Sequence, residues 1–332
     1  MNILREVKVK NAPYAITTSK QVGYKPIRID NKVLYRKRED GTIVCLKDVC
    51  PHRGARLSQG WTTNKDDIVC PYHGWEFDDE GYLTNMPSHK SSVPDCNVKK
   101  YEVTEDGGYV WLNYVDDFVD THCPELKDPD WGKVQGSRLV KGNWIDWISN
   151  SWDVSHINFV HDFGDENDAI VHDLRINYSP KEPNIVNATC KVNPKPVNFT
   201  TNHMQKKKSK VISKIIIPNT TRIDVLMKKP YRFITFTTVM PIDKYSTVLT
   251  WSFLWNFDNK FLTDKNYFIK QQFEKEMYKT VYEDEQIIQN IDENIPYTSV
   301  PADALQLKCL NVLNSFVSES HDEFDSNVSL LS

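Results

Sequence analysis

The tightest constraint on this chain is a pair of short segments, Cys50-Pro51-His52-Arg53-Gly54 and Cys70-Pro71-Tyr72-His73-Gly74-Trp75, which together read C-x-H-x17-C-x2-H. Each arm offers one thiol and one imidazole from a tight loop. Four side chains of that kind, soft sulfur and borderline nitrogen, are a metal-binding set, and the chain around them must fold so that both loops face one another. Glycines at 54 and 74 would let the backbone approach closely whatever the four donors hold.

Two thiolates and two imidazoles are the ligand set of a Rieske [2Fe-2S] cluster, in which two histidines replace two cysteines on one iron. Each arm can then give sulfur to one iron and nitrogen to the other. A structural zinc site is the competing reading, but zinc modules usually pair like with like, two Cys on one arm and two His on the other. The cluster reading makes the protein an electron carrier at the least.

A second constellation lies at Asn150-Ser151-Trp152-Asp153-Val154-Ser155-His156-Ile157-Asn158-Phe159-Val160-His161. The pattern N-x2-D-x2-H-x4-H predicts Asn150, Asp153 and His156 near one face of a helix, with His161 brought in by a turn or helix end. Two histidines and one carboxylate on one face of an octahedron make a non-heme Fe(II) site that activates oxygen. Periodicity supplies the carboxylate. At about 100° per residue, Phe273, Met277, Thr280, Val281, Asp284, Ile287, Ile288 and Ile291 fall within one arc of roughly 120°. Asp284 is the only charged residue in it, while Glu274, Glu276, Glu283, Glu285 and Asp292 are expected to project into water. A carboxylate on a buried stripe is costly unless it is paired or metal-bound, so Asp284 is the candidate third ligand. A buried Asp satisfied by an arginine or a backbone donor is the other reading.

With both motifs in view, the chain resembles the Rieske non-heme iron oxygenases from about Pro13 through the helix carrying Asp284. It is more similar to the compact homotrimeric branch of vanillate, dicamba and pheophorbide a oxygenases than to the longer ring-hydroxylating α subunits. Gly142-Asn143-Trp144 and Glu283-Asp284 fit the same pattern. The resemblance implies an α+β architecture, with an N-terminal all-β Rieske domain and a C-terminal helix-grip catalytic domain, an antiparallel sheet held by a long helix. It implies that Cys50, His52, Cys70 and His73 bind the cluster and that His156, His161 and Asp284 bind the mononuclear Fe(II). It makes Asp153 a bridge between His156 and His73 of an adjoining protomer in a head-to-tail homotrimer, and Asn150 a weaker candidate beside the iron. The positions where respiratory and photosynthetic Rieske proteins carry an extra disulfide and a serine hold Ala55, Tyr72 and Trp75 here, which predicts a potential near the low end of the Rieske range, about −150 mV. The implied activity is hydroxylation or oxidative demethylation of a small organic substrate with O2. Because no G-x-G-x-x-G fingerprint is present, electrons are expected from a separate reductase, with or without a ferredoxin.

Length and charge agree. The 332 residues allow two domains, expected at 1–118 and 119–317 with a disordered polar tail over 318–332, and a net charge of −4 suggests neither nucleic acid nor a membrane surface as partner. Lys206-Lys207-Lys208 with Lys210 is expected to be a solvated loop between strands. Residues 1–11 lack the character of a signal or transit peptide, and no stretch reaches the roughly 20 apolar residues of a membrane span. Cys45, Cys96, Cys123, Cys190 and Cys309 share no tight spacing, which predicts reduced thiols and a cytoplasmic protein. Strands are expected over Lys32–Lys37, Thr42–Lys47, Lys210–Ile217, Arg222–Met227, Phe233–Met240 and Val248–Phe257, a surface linker over Asp116–Val140, and a helix over Thr263–Glu293 capped by Thr263. Phe159, Phe236, Trp251 and Phe253 are the aromatic candidates for a substrate pocket, though each reads more readily as core than as substrate contact. A stand-alone electron carrier would need no second metal motif, and a non-catalytic homologue would need none of the seven donors.

Overall fold

The computed structural model describes residues 14–88, 94–112, 123–193, 195, 208–257, 263–293, 295 and 298–321. The chain divides into two compact units, one of residues 13–119 and one from residue 120 onward.

The N-terminal unit is all antiparallel β: β1 (Tyr14–Thr18), β2 (Ile27–Ile29), β3 (Lys32–Arg36), β4 (Ile43–Lys47), β5 (Trp61–Thr62), β6 (Ile68–Val69), β7 (Glu76–Phe77), β8 (Leu83–Asn85), β9 (Val103–Asp106) and β10 (Tyr109–Leu112). They form three small sheets, ordered β1-β10-β9, β2-β3-β4 and β5-β6-β7-β8. Gly107 and Gly108, both at positive φ, close the two-residue hairpin that pairs Asp106 with Tyr109. Val33, Tyr35, Leu46, Leu57, Ile68 and Phe77 fill the core together with Cys50 and Cys70, so two of the candidate ligands are themselves core residues.

The second unit contains β11 (Gly132–Lys141), α1 (Trp144–Trp152), α2 (Ile157–Val160), β12 (His172–Tyr178), β13 (Ile185–Val192), β14 (Ser209–Ile216), β15 (Thr220–Leu226), β16 (Arg232–Asp243), β17 (Ser246–Trp255), α3 (Thr263–Ile288) and α4 (Ala304–His321). Its seven strands make one antiparallel sheet in the order β11-β17-β16-β15-β14-β13-β12. The long α3 lays Phe273 against Phe233, Phe253 and Trp255, with ring centroids 4.8–5.9 Å apart, which is the helix-on-sheet grip expected from the sequence.

Several expectations are corrected. Residues 132–140 of the presumed linker belong to β11, which pairs with β17 along ten residue pairs from Gly132↔Trp255 to Lys141↔Ser246. Its two glycines and alternating polar residues hide the strand pattern, and partnership across the sheet decides the conformation. The helix with Asp284 ends at Ile288 rather than Glu293, and Thr263 is its first residue. The polar tail begins later than Ser318, since α4 continues to His321, and residues 322–332 lie outside the described residues. Of the basic run, Lys206 and Lys207 also lie outside them, while Lys208 and Lys210 are exposed. Residues 1–11 are not among those described either. Among the described residues no helix is long and apolar enough to cross a membrane.

Candidate metal centres

In the N-terminal unit the two loops are built alike. In the first, Cys50 N–H donates to Ala55 O (2.7 Å) and Gly54 N–H to Cys50 O (2.8 Å); in the second, Cys70 N–H donates to Trp75 O (2.8 Å) and Gly74 N–H to Cys70 O (3.0 Å). Closing each turn this way drives the glycine to positive φ, +73° at Gly54 and +71° at Gly74. At Gly54 an added Cβ would meet no protein atom within 4 Å, so within the protein itself it is the turn conformation that calls for that glycine.

The loops bring His52 and His73 together with ring centroids 4.5 Å apart, and Trp75 stacks flat on His52 at 4.4 Å. Both cysteines are buried, and all seven cysteines of the chain are unpaired. Burial pushes the Cys50 thiol up to about 11, with the neighbouring Cys70 adding to the rise. Burial, His73 and Arg53 together hold His52 below the ordinary imidazole range. Its Nδ1 is buried with no hydrogen-bond partner. Two imidazoles beside buried, unpaired thiols, with one ring nitrogen orphaned, fit a bound metal cluster, because coordination would supply the missing partner and stabilise the thiolates against burial.

The second centre is assembled from distant parts of the chain. Gly142 (φ +108°) and Asn143 open α1, with Asn143 Oδ1 accepting from Ile145 N–H at 3.0 Å. A Cβ at Gly142 would come within 2.6 Å of Ile288 Cγ2, so only glycine lets this helix entry sit against the end of α3. The far end of α1 is pinned to β15, where Ser151 Oγ and Trp152 Nε1 both contact Thr221 Oγ1 (2.9 and 3.2 Å).

Here the chain departs from the single helix expected through His156. Asp153 is an extended residue that ends α1, and its Oδ1 accepts from Ser155 N–H (2.7 Å) and Ser155 Oγ–H (2.6 Å). An Asp and a Ser two residues apart satisfy each other locally and compete with helical hydrogen bonding, which breaks the helix. A short second helix, α2, then places His156 just before its first residue and His161 just after its last. Asn150 is half-buried on α1, where its carbonyl accepts from Asp153 N–H at 3.2 Å.

The break aims both imidazoles at Asp284. His161 Nε2 and His156 Nε2 lie 3.3 and 3.6 Å from Asp284 Oδ1, and one donor atom from each of the three residues falls within 4.8 Å of the other two. Asp284 Oδ1 is buried without a hydrogen-bond partner, as is His156 Nδ1. Neither an arginine nor a backbone donor satisfies that oxygen, the alternative the sequence left open. Two imidazoles and a carboxylate oxygen without a partner, converging on one point, fit a cation of the kind held by a two-histidine, one-carboxylate set.

Two neighbours missed by periodicity complete the surroundings. Glu283, expected in water, accepts from or shares a proton with His161 Nδ1 at 2.9 Å, and Lys279 pairs in turn with Asp162 and, at 3.6 Å, with Glu283. Burial opposes protonation of His161, but Asp284 and Glu283 outweigh it and raise its pKa. The site therefore favours positive charge. Glu285, also expected in water, is 6% exposed and binds Arg138 (2.7 Å) and Lys141 N–H (2.8 Å), tying α3 to β11. Partners on β11 explain this burial, and β11 was the strand hidden in the presumed linker. Asp153 Oδ2 stands 3.7 Å from His156 Nδ1, a charge contact too long for a hydrogen bond. Burial pushes the Asp153 carboxyl up, yet His156 and the Ser155 hydrogen bonds hold it below its ordinary value.

Beside the triad lies a cavity of about 260 Å³ lined by Asp153, Ile157, Thr280 and Met277 and by residues of β14 to β17. Phe253 lines it as expected. Phe236 and Trp251 are buried in the core and Phe159 is exposed on α2, so those three do not.

Comparison with known proteins agrees with this anatomy. Residues 7–102 match the Rieske [2Fe-2S] domain, and residues 140–319, more than half of the chain, match the vanillate O-demethylase oxygenase C-terminal domain. The vanillate O-demethylase oxygenase subunit of Pseudomonas sp. (strain HR199 / DSM 7063) is 29% identical over 160 residues, 46% of this chain and 45% of that protein. The oxygenase component of dicamba O-demethylase from Stenotrophomonas maltophilia is 30% identical over 172 residues, 48% of this chain and 50% of that one. The matched stretch thus spans about half the length of these relatives. A crystal structure of dicamba monooxygenase bound to dicamba superposes with a TM-score of 0.77 over 95% of this chain and 99% of the other at 19% identity, which shows a shared fold. The chain belongs to the family defined by the vanillate O-demethylase oxygenase C-terminal domain, here with a Rieske [2Fe-2S] domain at its N-terminal side.

Proposed function

We propose that this protein is a Rieske-type oxygenase that uses O2 and externally supplied electrons to hydroxylate or oxidatively demethylate a small organic substrate. The observation that carries the reading is the convergence of His156, His161 and Asp284 beside a mostly apolar cavity, in a chain that also holds the paired Cys-His loops. Cys50, His52, Cys70 and His73 would hold the [2Fe-2S] cluster, and the triad would hold a mononuclear Fe(II). The cluster supplies single electrons and the iron the capacity to activate dioxygen.

The protein's own side chains supply aim and order. Glu283 orients the His161 ring through Nδ1, as carboxylates do behind metal-binding histidines. Asp153, fixed by Ser155 through one oxygen, keeps its other oxygen toward His156, and in a homotrimer it would reach His73 of the adjoining protomer. Asn150 is a weaker positioning candidate on the same helix. Residues 1–118 and 119–317 would divide the work, the first receiving electrons from a separate reductase, with or without a ferredoxin, and the second binding substrate. Seven unpaired cysteines support a reducing, cytoplasmic setting.

A test is single turnover of the reduced protein with aromatic ethers, N-methyl compounds, sterols, alkaloids and tetrapyrroles, following oxygen uptake and product mass. One of these compounds should consume oxygen and emerge hydroxylated or shortened by a methyl group. Asp153→Asn should keep both metals bound while nearly abolishing coupled turnover, and near-normal activity in that variant would remove the bridging role.

A further inference from the structure

The cavity beside His156 also constrains what can enter it. Its walls are largely apolar, a mixture of aromatic, thioether and branched aliphatic surface. Phe233, Phe253 and Phe273 form a cluster with centroids 4.9–5.9 Å apart, and Met227 and Met277 line the same space. Such surfaces favour a lipophilic ring through area burial and sulfur–aromatic contact.

Charge narrows the choice. Among the described lining residues the ionisable side chains are Asp153, Glu276 and Lys195. Lys195 Nζ is held by Asp165 Oδ1 at 3.2 Å, so the cation at the cavity already has its counter-charge. Two carboxylates remain against it. A carboxylate entering this space would lose its hydration, meet no free cation among these residues and face like charge. A neutral molecule of the same shape avoids all three penalties.

We propose that this cavity takes an uncharged, lipophilic ring compound and discriminates against aromatic carboxylates. The proposal rests on the functional reading above only in treating this cavity as the substrate site. It sets this chain apart from relatives whose names specify vanillate and dicamba, both aromatic acids.

Veratrole and veratrate are suitable probes, since they share a ring and two methoxy groups and differ only by the carboxylate. Binding of each to the metal-loaded protein under anaerobic conditions, read by calorimetry without turnover, should favour veratrole by roughly tenfold or more. Glu276→Gln should narrow that ratio by improving veratrate binding, and Asp165→Asn, which releases Lys195, should narrow it further. Equal or tighter binding of veratrate by the wild-type protein, or no binding of veratrole, overturns the proposal. Failure of the oxygenase reading would show separately, as missing iron in the same sample before either probe is added.

Discussion

The two candidate metal centres are built in opposite ways. In the N-terminal unit all four donors lie between Cys50 and His73, on two turns with the same hydrogen-bond pattern, and their cysteines are part of that unit's core. In the second unit, His156 and His161 come from a broken helix and Asp284 from α3, which is reached only after the whole sheet has been laid down. A centre written into adjacent turns can fold around its metal, whereas one gathered across a domain must be held open by the domain itself. Stability should therefore depend on metal in the first unit and hardly at all in the second.

The sharpest break of that contrast is Cys70→Ser. Removing a proposed cluster donor that is also buried core should cost the Rieske-type colour and lower the melting temperature of residues 13–119 by many degrees, while hydrogen exchange in β14–β17 stays as in the wild type. Uniform loss of protection across both units would contradict the separation.

A smaller effect is expected at Glu283. Glu283→Gln leaves the three donors in place but weakens the support of His161, so Fe(II) affinity should fall by about 10–100-fold with little change in melting temperature. Competitive titration with a chelator measures it. Unchanged affinity would remove Glu283 from the iron's surroundings.

The mildest prediction concerns acid. Glu125 pairs with Arg222 (2.7 and 2.8 Å), which also binds Asp224, while Arg232 joins the same group. Burial pushes the Glu125 carboxyl up, but the arginines outweigh it and hold it below its ordinary value. A folded-state pKa below the unfolded one gives stability that is present above the unfolded pKa, about 4.3, and is lost as pH falls through the folded value. Melting temperature should decline on acidification in that window, and Glu125→Gln should flatten the decline; a variant with the same acid slope as the wild type would assign the loss to other groups.

What the sequence makes legible follows the same division. The Cys-His loops are visible because their donors and turns are local. Asp284 is visible because a lone carboxylate on an apolar helical stripe needs a reason. Glu283 and Glu285 look like solvated neighbours of Asp284, since their partners His161, Arg138 and Lys141 belong to other elements. The break after Trp152 was signalled by Asp153 and Ser155, yet the motif's spacing suggested a continuous helix. β11 and β12 are hidden because edge strands carry polar residues, and β12 alternates between half-buried and exposed along its whole length. The pattern of α4 was present in Leu305, Cys309, Val312 and Leu313, all buried at helical spacing, but masked by the polar residues among them.

The assignment of Asp284 to the iron is tested most directly by the metal content of wild type and Asp284→Ala, both purified without oxygen. It predicts about three irons and two acid-labile sulfides per wild-type chain, falling to about two irons with unchanged sulfide and an unchanged Rieske-type spectrum in the variant. Zinc in place of iron, or the same iron count in both proteins, would contradict it.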